Sequence, residues 1–219
     1  MPALIRLATA DDGPALAAIY APSVTARVTS FEVDAPDGAE MARRVERIMA
    51  RTPWLVCAHD GAVVGYAYAS AHRDRAAYQW SVDVSAYVRD DVHRAGVARS
   101  LYTSLFALLV VQGFRNAYAG ITLPNAASVG LHEALGFTPV GVYRGVGYKF
   151  GAWHDVMWLE RVIAPRIADP PAPTPLSDVP RDALDAALRT GLSLLRLDDA
   201  RSSARSPQRL HSVDDDARH

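Results

Sequence analysis

The alternating run from Trp80 to Val88 carries the residue best suited to proton chemistry. Trp80, Val82, Val84, Ala86 and Val88 fall on one face of a strand, with Ser81, Asp83, Ser85 and Tyr87 on the other. A carboxylate on the polar face of a mid-domain strand can take a proton from a substrate, directly or through one water. Asp83 is therefore a candidate base, and an ion pair with Arg73 or Arg75 is its competing structural use. Directly downstream, His93-Arg94-Ala95-Gly96-Val97-Ala98-Arg99 sets a turn of small residues at the start of a helix. Such a turn lets successive backbone N–H groups approach phosphate oxygens, while the helix dipole and Arg94 or Arg99 add favourable charge. A tight strand-to-helix connection would use the same residues. Upstream of the strand, Arg73, Arg75 and Tyr78 suit a carboxylate or phosphinate, because guanidinium groups match such anions. Loop arginines also serve as plain solvated charges. Phe31 is a candidate pocket wall or, equally, a core residue.

Other reactive residue types carry less. The histidines at 72, 93, 132 and 154 lack metal-ligand spacing, so no metal is expected. His154 and Asp155 are adjacent but lie in a strand-like stretch with Trp153 and Trp158, and are read as structural. Cys57 is the single cysteine, within an apolar run over 54–58, which points to a buried, unreactive thiol. A net charge of -1 supplies no broad basic field for nucleic acid or an anionic membrane. No apolar run approaches the roughly 20 residues that span a bilayer, and the amino terminus has no charged-then-apolar leader. The expectation is a cytoplasmic protein whose partners are small molecules or another protein chain.

The elements that must position these residues are legible in outline. At 219 residues, half of them hydrophobic, the chain can bury one substantial core. Residues 4–7 read as a strand, and Thr9 with Asp12 resembles a capping box ahead of a helix bearing Leu16, Ile19 and Tyr20. Met41, Val45, Ile48 and Met49 mark a second helix, which Pro53 closes. Strands over 54–59 and 62–69 join at Asp60-Gly61. After the strand bearing Asp83, Leu101, Leu105, Leu108 and Leu109 stripe a helix ending at Gly113. A strand near 116–121, a helix through Leu131 and Leu135, and strands near 140–148 and 153–159 complete the pattern. Strands interleaved with helices argue for a mixed α/β or α+β sheet. Residues 1–164 are expected as one domain and 165–180 as a stiff Pro-rich linker. An amphipathic helix over 181–197 carries Leu184, Ala187, Leu188, Leu192 and Leu195 on one face, to dock on its own domain or on a partner subunit. A polar, disordered tail is expected over 198–219.

Several motifs occur in a recognisable order. His93-Arg94-Ala95-Gly96-Val97-Ala98 resembles the acetyl-CoA signature of the GNAT acetyltransferases, Gln/Arg-x-x-Gly-x-Gly/Ala, with His93 departing from the usual first residue. Leu123-Pro124-Asn125, His132-Glu133-Ala134-Leu135-Gly136-Phe137 and Gly147-Tyr148-Lys149-Phe150-Gly151-Ala152-Trp153-His154-Asp155-Val156 resemble the phosphinothricin acetyltransferases within that superfamily. Trp54-Leu55-Val56 and Arg75-Ala76-Ala77-Tyr78-Gln79-Trp80 fit the same group, so the resemblance spans about residues 4 to 160.

The resemblance implies a GNAT fold, a mixed central sheet flanked by helices, and an N-acetyltransferase acting on phosphinothricin, methionine sulfoximine or a similar amino-acid-like amine. It implies acetyl-CoA as co-substrate and a homodimer. Carried over, Ala86, Tyr87 and Val88 pair with the pantetheine arm, residues 94–99 (Arg94, Ala95, Gly96, Val97, Ala98, Arg99) hold the pyrophosphate, and Asn125 contacts the cofactor. Asp83 stands where that group usually has glutamate, one methylene longer. His132, seven residues after Asn125, stands where many members protonate the leaving thiolate. Phe31, Arg73, Arg75 and Tyr78 are the candidate substrate contacts on residue chemistry alone. The competing readings are acetylation of another amine or a peptide terminus, and a non-catalytic acetyl-CoA-binding regulator.

Overall fold

The computed structural model describes residues 3–197. Strand β1 (Leu4–Leu7) leads through a short 3-10 turn into helix α1 (Gly13–Thr25). The Thr9 N–H donates to the Asp12 carboxylate at 2.8 Å, as the capping box requires, and Arg6 grips both Asp12 oxygens at 2.7 Å. Then come α2 (Gly38–Met49), β2 (Trp54–His59), β3 (Ala62–Ala71), β4 (Ser81–Val88) and α3 (Val97–Gln112). The remaining elements are β5 (Asn116–Thr122), α4 (Ala126–Ala134), β6 (Thr138–Lys149), β7 (Ala152–Val162) and α5 (Arg181–Thr190). β3, β6 and β7 run longer than their apolar patterns suggest, because backbone pairing continues past the last core-facing side chain.

The strands form one seven-stranded sheet in the order β1-β2-β3-β4-β5-β7-β6. Only the β4–β5 pair is parallel. The continuous apolar run of β2 is explained by burial on both sides. Leu55 and Cys57 join the cluster that includes Leu101 and Leu105 of α3, while Trp54 and Val56 join Leu16, Met41 and Val45 of α1 and α2. Burial also pushes the Cys57 thiol up to about 12, which leaves it inert at neutral pH.

Beyond Ala164 the chain does not stand off as a spacer. It runs back along α3, the Thr174 N–H donating to the Gln112 carbonyl at 2.7 Å and the Gln112 side chain returning a bond to Thr174 at 2.9 Å. The Trp80 indole donates to the Pro171 carbonyl at 2.7 Å, and Leu176 and Val179 are buried in the core cluster. Helix α5 docks on α3 of its own domain, where Ser104 Oγ donates to the Leu188 carbonyl at 2.9 Å and accepts from the Gly191 N–H at 3.0 Å. The segment then reaches the N-terminal end of α3, and the Arg196 N–H donates to the Ala95 carbonyl at 2.9 Å. The tail over 198–219 lies outside the described residues.

If this extension belongs to the cooperative core, Leu176→Ala should cost about 2–4 kcal/mol. A thermal melt followed by circular dichroism should then show a midpoint lower by roughly 10 °C. An unchanged midpoint would mean that the extension adds nothing to folding stability.

Candidate active site

Strands β4 and β5 pair only where Ser81, Val82 and Asp83 face Asn116, Ala117 and Tyr118. Beyond Asp83 they diverge, while β4 stays paired with β3 on its other edge as far as Val88. The split opens a groove of about 350 Å³ with residues 84–88 on one wall and residues 119–121 on the other. Tyr102 of α3, His132 of α4 and Asn125 also line it. The open edge of β4 offers backbone donors and acceptors to an extended, amide-bearing ligand, as an added strand would use them.

The turn ahead of α3 has the conformation that an anion cradle needs. Arg94 and Gly96 both take positive φ, 67° and 81°, which tilts neighbouring N–H groups to one side. The first-turn N–H groups of α3 have no intrahelical acceptor, and the helix dipole adds partial positive charge. Arg94 and Arg99 are exposed and form no ion pair among the described residues, whereas Arg27 and Arg89 are held by Asp90 and Asp91 at 2.6 Å. Ala95 and Val97 are buried beneath the turn and anchor it. Groove, edge and turn together match acetyl-CoA: a thioester on an extended amide arm, ending in a pyrophosphate.

Asp83 is the last β4 residue paired with β5, so its carboxylate stands at the fork. It pairs with neither Arg73 nor Arg75. Its Oδ1 is bonded to His72 Nδ1 at 2.6 Å. Burial raises the pKa of this carboxyl above the ordinary aspartate value, and the His72 bond and the nearby charge of Arg73 oppose that shift. His72 pairs with Ser81 across the β3–β4 hairpin, the His72 N–H meeting the Ser81 carbonyl, which sets its side chain diagonal to Asp83 on the same face. Sequence reading passed over this histidine because its only signal is the hairpin register.

His132 is buried and held at both ring nitrogens. Nδ1 donates to the Ser128 carbonyl at 2.8 Å, which assigns the tautomer with a bare Nε2, and Nε2 faces the Tyr102 hydroxyl at 3.2 Å. Burial lowers its pKa, against the opposing effect of the Ser128 bond, so the neutral ring is favoured. A neutral imidazole in this tautomer accepts at Nε2. The proton donor of the pair is the Tyr102 O–H, a group that sequence reading did not single out. Asn125 lines the groove and also caps α4, its Oδ1 accepting from the Ser128 N–H at 3.1 Å.

The expected substrate contacts are divided. Tyr78 packs edge-on to His72 with centroids 6.0 Å apart, and Arg73 lies over the Trp158 ring at 5.9 Å, so both adjoin the fork. Arg75 is exposed and opens the short 3-10 turn leading to Tyr78. Phe31 sits against Gly147 of β6, near His154, in a loop pinned by Lys149 Nζ donating to the Ser30 carbonyl at 2.6 Å. It is not among the residues that line the groove. His154 and Asp155 make separate structural bonds, to the Lys149 carbonyl and to Arg144 with the Gly145 N–H. No cluster of three or more metal-ligating side chains occurs among the described residues.

A mixed sheet forked between two central strands, with a positive-φ turn leading into α3, is the frame expected of an acyl-CoA-dependent transferase. Residues 5–158 match the acetyltransferase (GNAT) domain, and the chain belongs to that family. It is 41% identical over 160 residues to a phosphinothricin N-acetyltransferase of Streptomyces viridochromogenes, covering 73% of this chain and 87% of that protein. It is 34% identical over 175 residues to an L-methionine sulfoximine/L-methionine sulfone acetyltransferase of Pseudomonas paraeruginosa, covering 78% of this chain and all of the relative. A Sinorhizobium meliloti phosphinothricin acetyltransferase solved in complex with acetyl-CoA superposes with a TM-score of 0.71 at 35% identity, over 83% of this chain and 97% of that one. The protein is an acetyl-CoA-dependent N-acetyltransferase, with acetyl-CoA as co-substrate.

The positive φ of Gly96, and the Leu194 carbonyl packed where a side chain would go, make this turn sensitive to substitution. Gly96→Val should strain the turn by ~1–3 kcal/mol. Isothermal titration should show acetyl-CoA binding weakened by about tenfold or more. Unaltered affinity would mean that the cradle lies elsewhere.

Proposed function

We propose that this enzyme acetylates the amino group of an amino-acid-like small molecule of the phosphinothricin or methionine sulfoximine type. The observation that carries this reading is the Asp83 carboxylate at the fork, where a base for the amine is needed, with Arg73 and Tyr78 alongside. The printed activities of the relatives support the acceptor class. Arg73 and Arg75 suit the acid group of such an acceptor.

In this mechanism residues 84–88 hold the acetyl-bearing arm along the β4 edge, and residues 94–99 hold the pyrophosphate. Asp83 drives loss of the ammonium proton, and the free amine attacks the acetyl carbonyl directly, with no covalent acetyl-enzyme. Backbone N–H groups of β4 at the groove stabilise the oxyanion. Tyr102 and His132 line the groove, and the Tyr102 O–H is the candidate proton donor for the departing thiolate. Residues 1–164 form the catalytic domain, and the enzyme works in the cytoplasm. The exposed aromatic surface of the β6–β7 hairpin, with Tyr148 at 62%, Phe150 at 60% and Trp153 at 69% exposure, supports a homodimer through that hairpin.

Release of free CoA should be rapid with phosphinothricin, methionine sulfoximine or methionine sulfone and slow with plain alkylamines. Asp83→Asn should lower kcat by about 10²–10⁴-fold with the KM for acetyl-CoA unchanged. Protonated Asp83 cannot serve, so kcat/KM should fall as pH drops through its raised pKa, an acid limb above the ~3.9 of free aspartate. Turnover that survives Asp83→Asn, or that ignores the acidic acceptors, would sink this reading. Light scattering after gel filtration tests the dimer: the parent should run as two chains and Phe150→Glu/Trp153→Glu as one, and a monomeric parent refutes it.

A further inference from the structure

Asp83 is a short side chain, and one of its oxygens is already committed to an imidazole. That imidazole is fixed on several sides. Its ring stacks on Tyr118 at 4.3 Å and meets Tyr78 and Trp158 edge-on at 6.0 and 6.2 Å. The His72 side chain is 13% exposed and that of Asp83 29%. With Nδ1 spent on Asp83, Nε2 has no partner among the described residues, yet it is not among their sealed, unpartnered polar atoms. A ring that is clamped on its faces, anchored at one nitrogen by a carboxylate and open at the other has the arrangement of an oriented base.

We propose that His72 is the group that takes the proton from the substrate ammonium, and that Asp83 is the carboxylate that orients it. The inference rests on the amine-acetylation reading above and assigns its proton step to a second residue. His72 Nδ1–H donates to Asp83 Oδ1, which fixes the tautomer and leaves the lone pair on Nε2. The ammonium N–H bond breaks, its proton bonds to Nε2, and the nitrogen lone pair is freed. Attack forms the C–N bond, and collapse breaks the C–S bond. The second nitrogen proton goes to the departing thiolate by way of the Tyr102 hydroxyl, and the first leaves Nε2 for solvent. Asp83 stays ionised throughout and balances the imidazolium formed beside it. The charged neighbours of the ring are Asp83 and Arg73, and the Tyr78 and Tyr118 phenols adjoin it. Reach explains why two residues are used: the ring extends the basic atom beyond the aspartate, towards Tyr78 and the loop carrying Arg73 and Arg75.

The test uses the full chain, acetyl-CoA and the best acceptor from the panel above. His72→Ala should lose about 10²-fold or more in kcat. Acetyl-CoA affinity should stay within about twofold, because a twofold change is well under 1.4 kcal/mol. Free imidazole should restore a concentration-dependent part of the rate by filling the vacated slot. His72→Asn keeps an N–H donor for Asp83 but no basic atom, and should stay as slow as His72→Ala. If His72→Asn works like the parent, or if imidazole rescues nothing, His72 only braces Asp83 and the proposal is overturned. A parent that binds acetyl-CoA but turns over no amine overturns the acetylation reading and this inference together.

Discussion

The parting of β4 from β5 after Asp83 is the constraint on which the rest of the molecule depends. Two parallel strands that had been paired abandon each other, and the β4 backbone is left half satisfied, bonded to β3 on one side and open on the other. Unpaired backbone groups are costly to bury. The arrangement is tolerable because the groove lined by Tyr102, His132 and Asn125 is open to solvent, and because a ligand with its own amide groups can complete the ladder. Each candidate group has its place along that split: the carboxylate at the apex, the phenol–imidazole pair at the side, and the Gly96 turn where β4 gives way to α3.

Much of this was legible in the sequence because it is local. The alternation from Trp80 to Val88 carried the burial of Val82 and Val84 on one face and the placement of Asp83 on the other. The small residues around Gly96 carried the turn, since the positive φ there is what glycine supplies. The stripe of Leu101, Leu105, Leu108 and Leu109 carried the seat of α3. Family motifs then assigned chemistry to those positions, which local pattern alone does not do.

What stayed hidden depends on register and on long-range docking. His72 meets Asp83 only because the β3–β4 hairpin aligns Ser70 with Asp83, and the loop between the strands disguises that alignment. The bare nitrogen of His132 follows from a carbonyl one helical turn earlier, so a residue that reads as an acid is built as an acceptor. Phe31 found its seat on β6, more than a hundred residues away in the chain, against a glycine that leaves room for its ring. The prolines after Ala164 suggest a stiff spacer, and they are stiff, but the segment they straighten is held against α3 by backbone bonds that no composition reports.

That last feature has a consequence for how the protein is made. Ser104 and Leu188 are 84 residues apart in the chain, and Arg196, which bonds the Ala95 carbonyl just ahead of α3, comes later still. At ordinary elongation rates, a nascent α3 waits roughly 4–17 s for its outer face to be synthesised. During that interval the sheet can close and the fork can form while one flank of its longest helix stays bare. Emergence of residues 165–191 thus acts as a latch on the apolar flank of α3 that they cover.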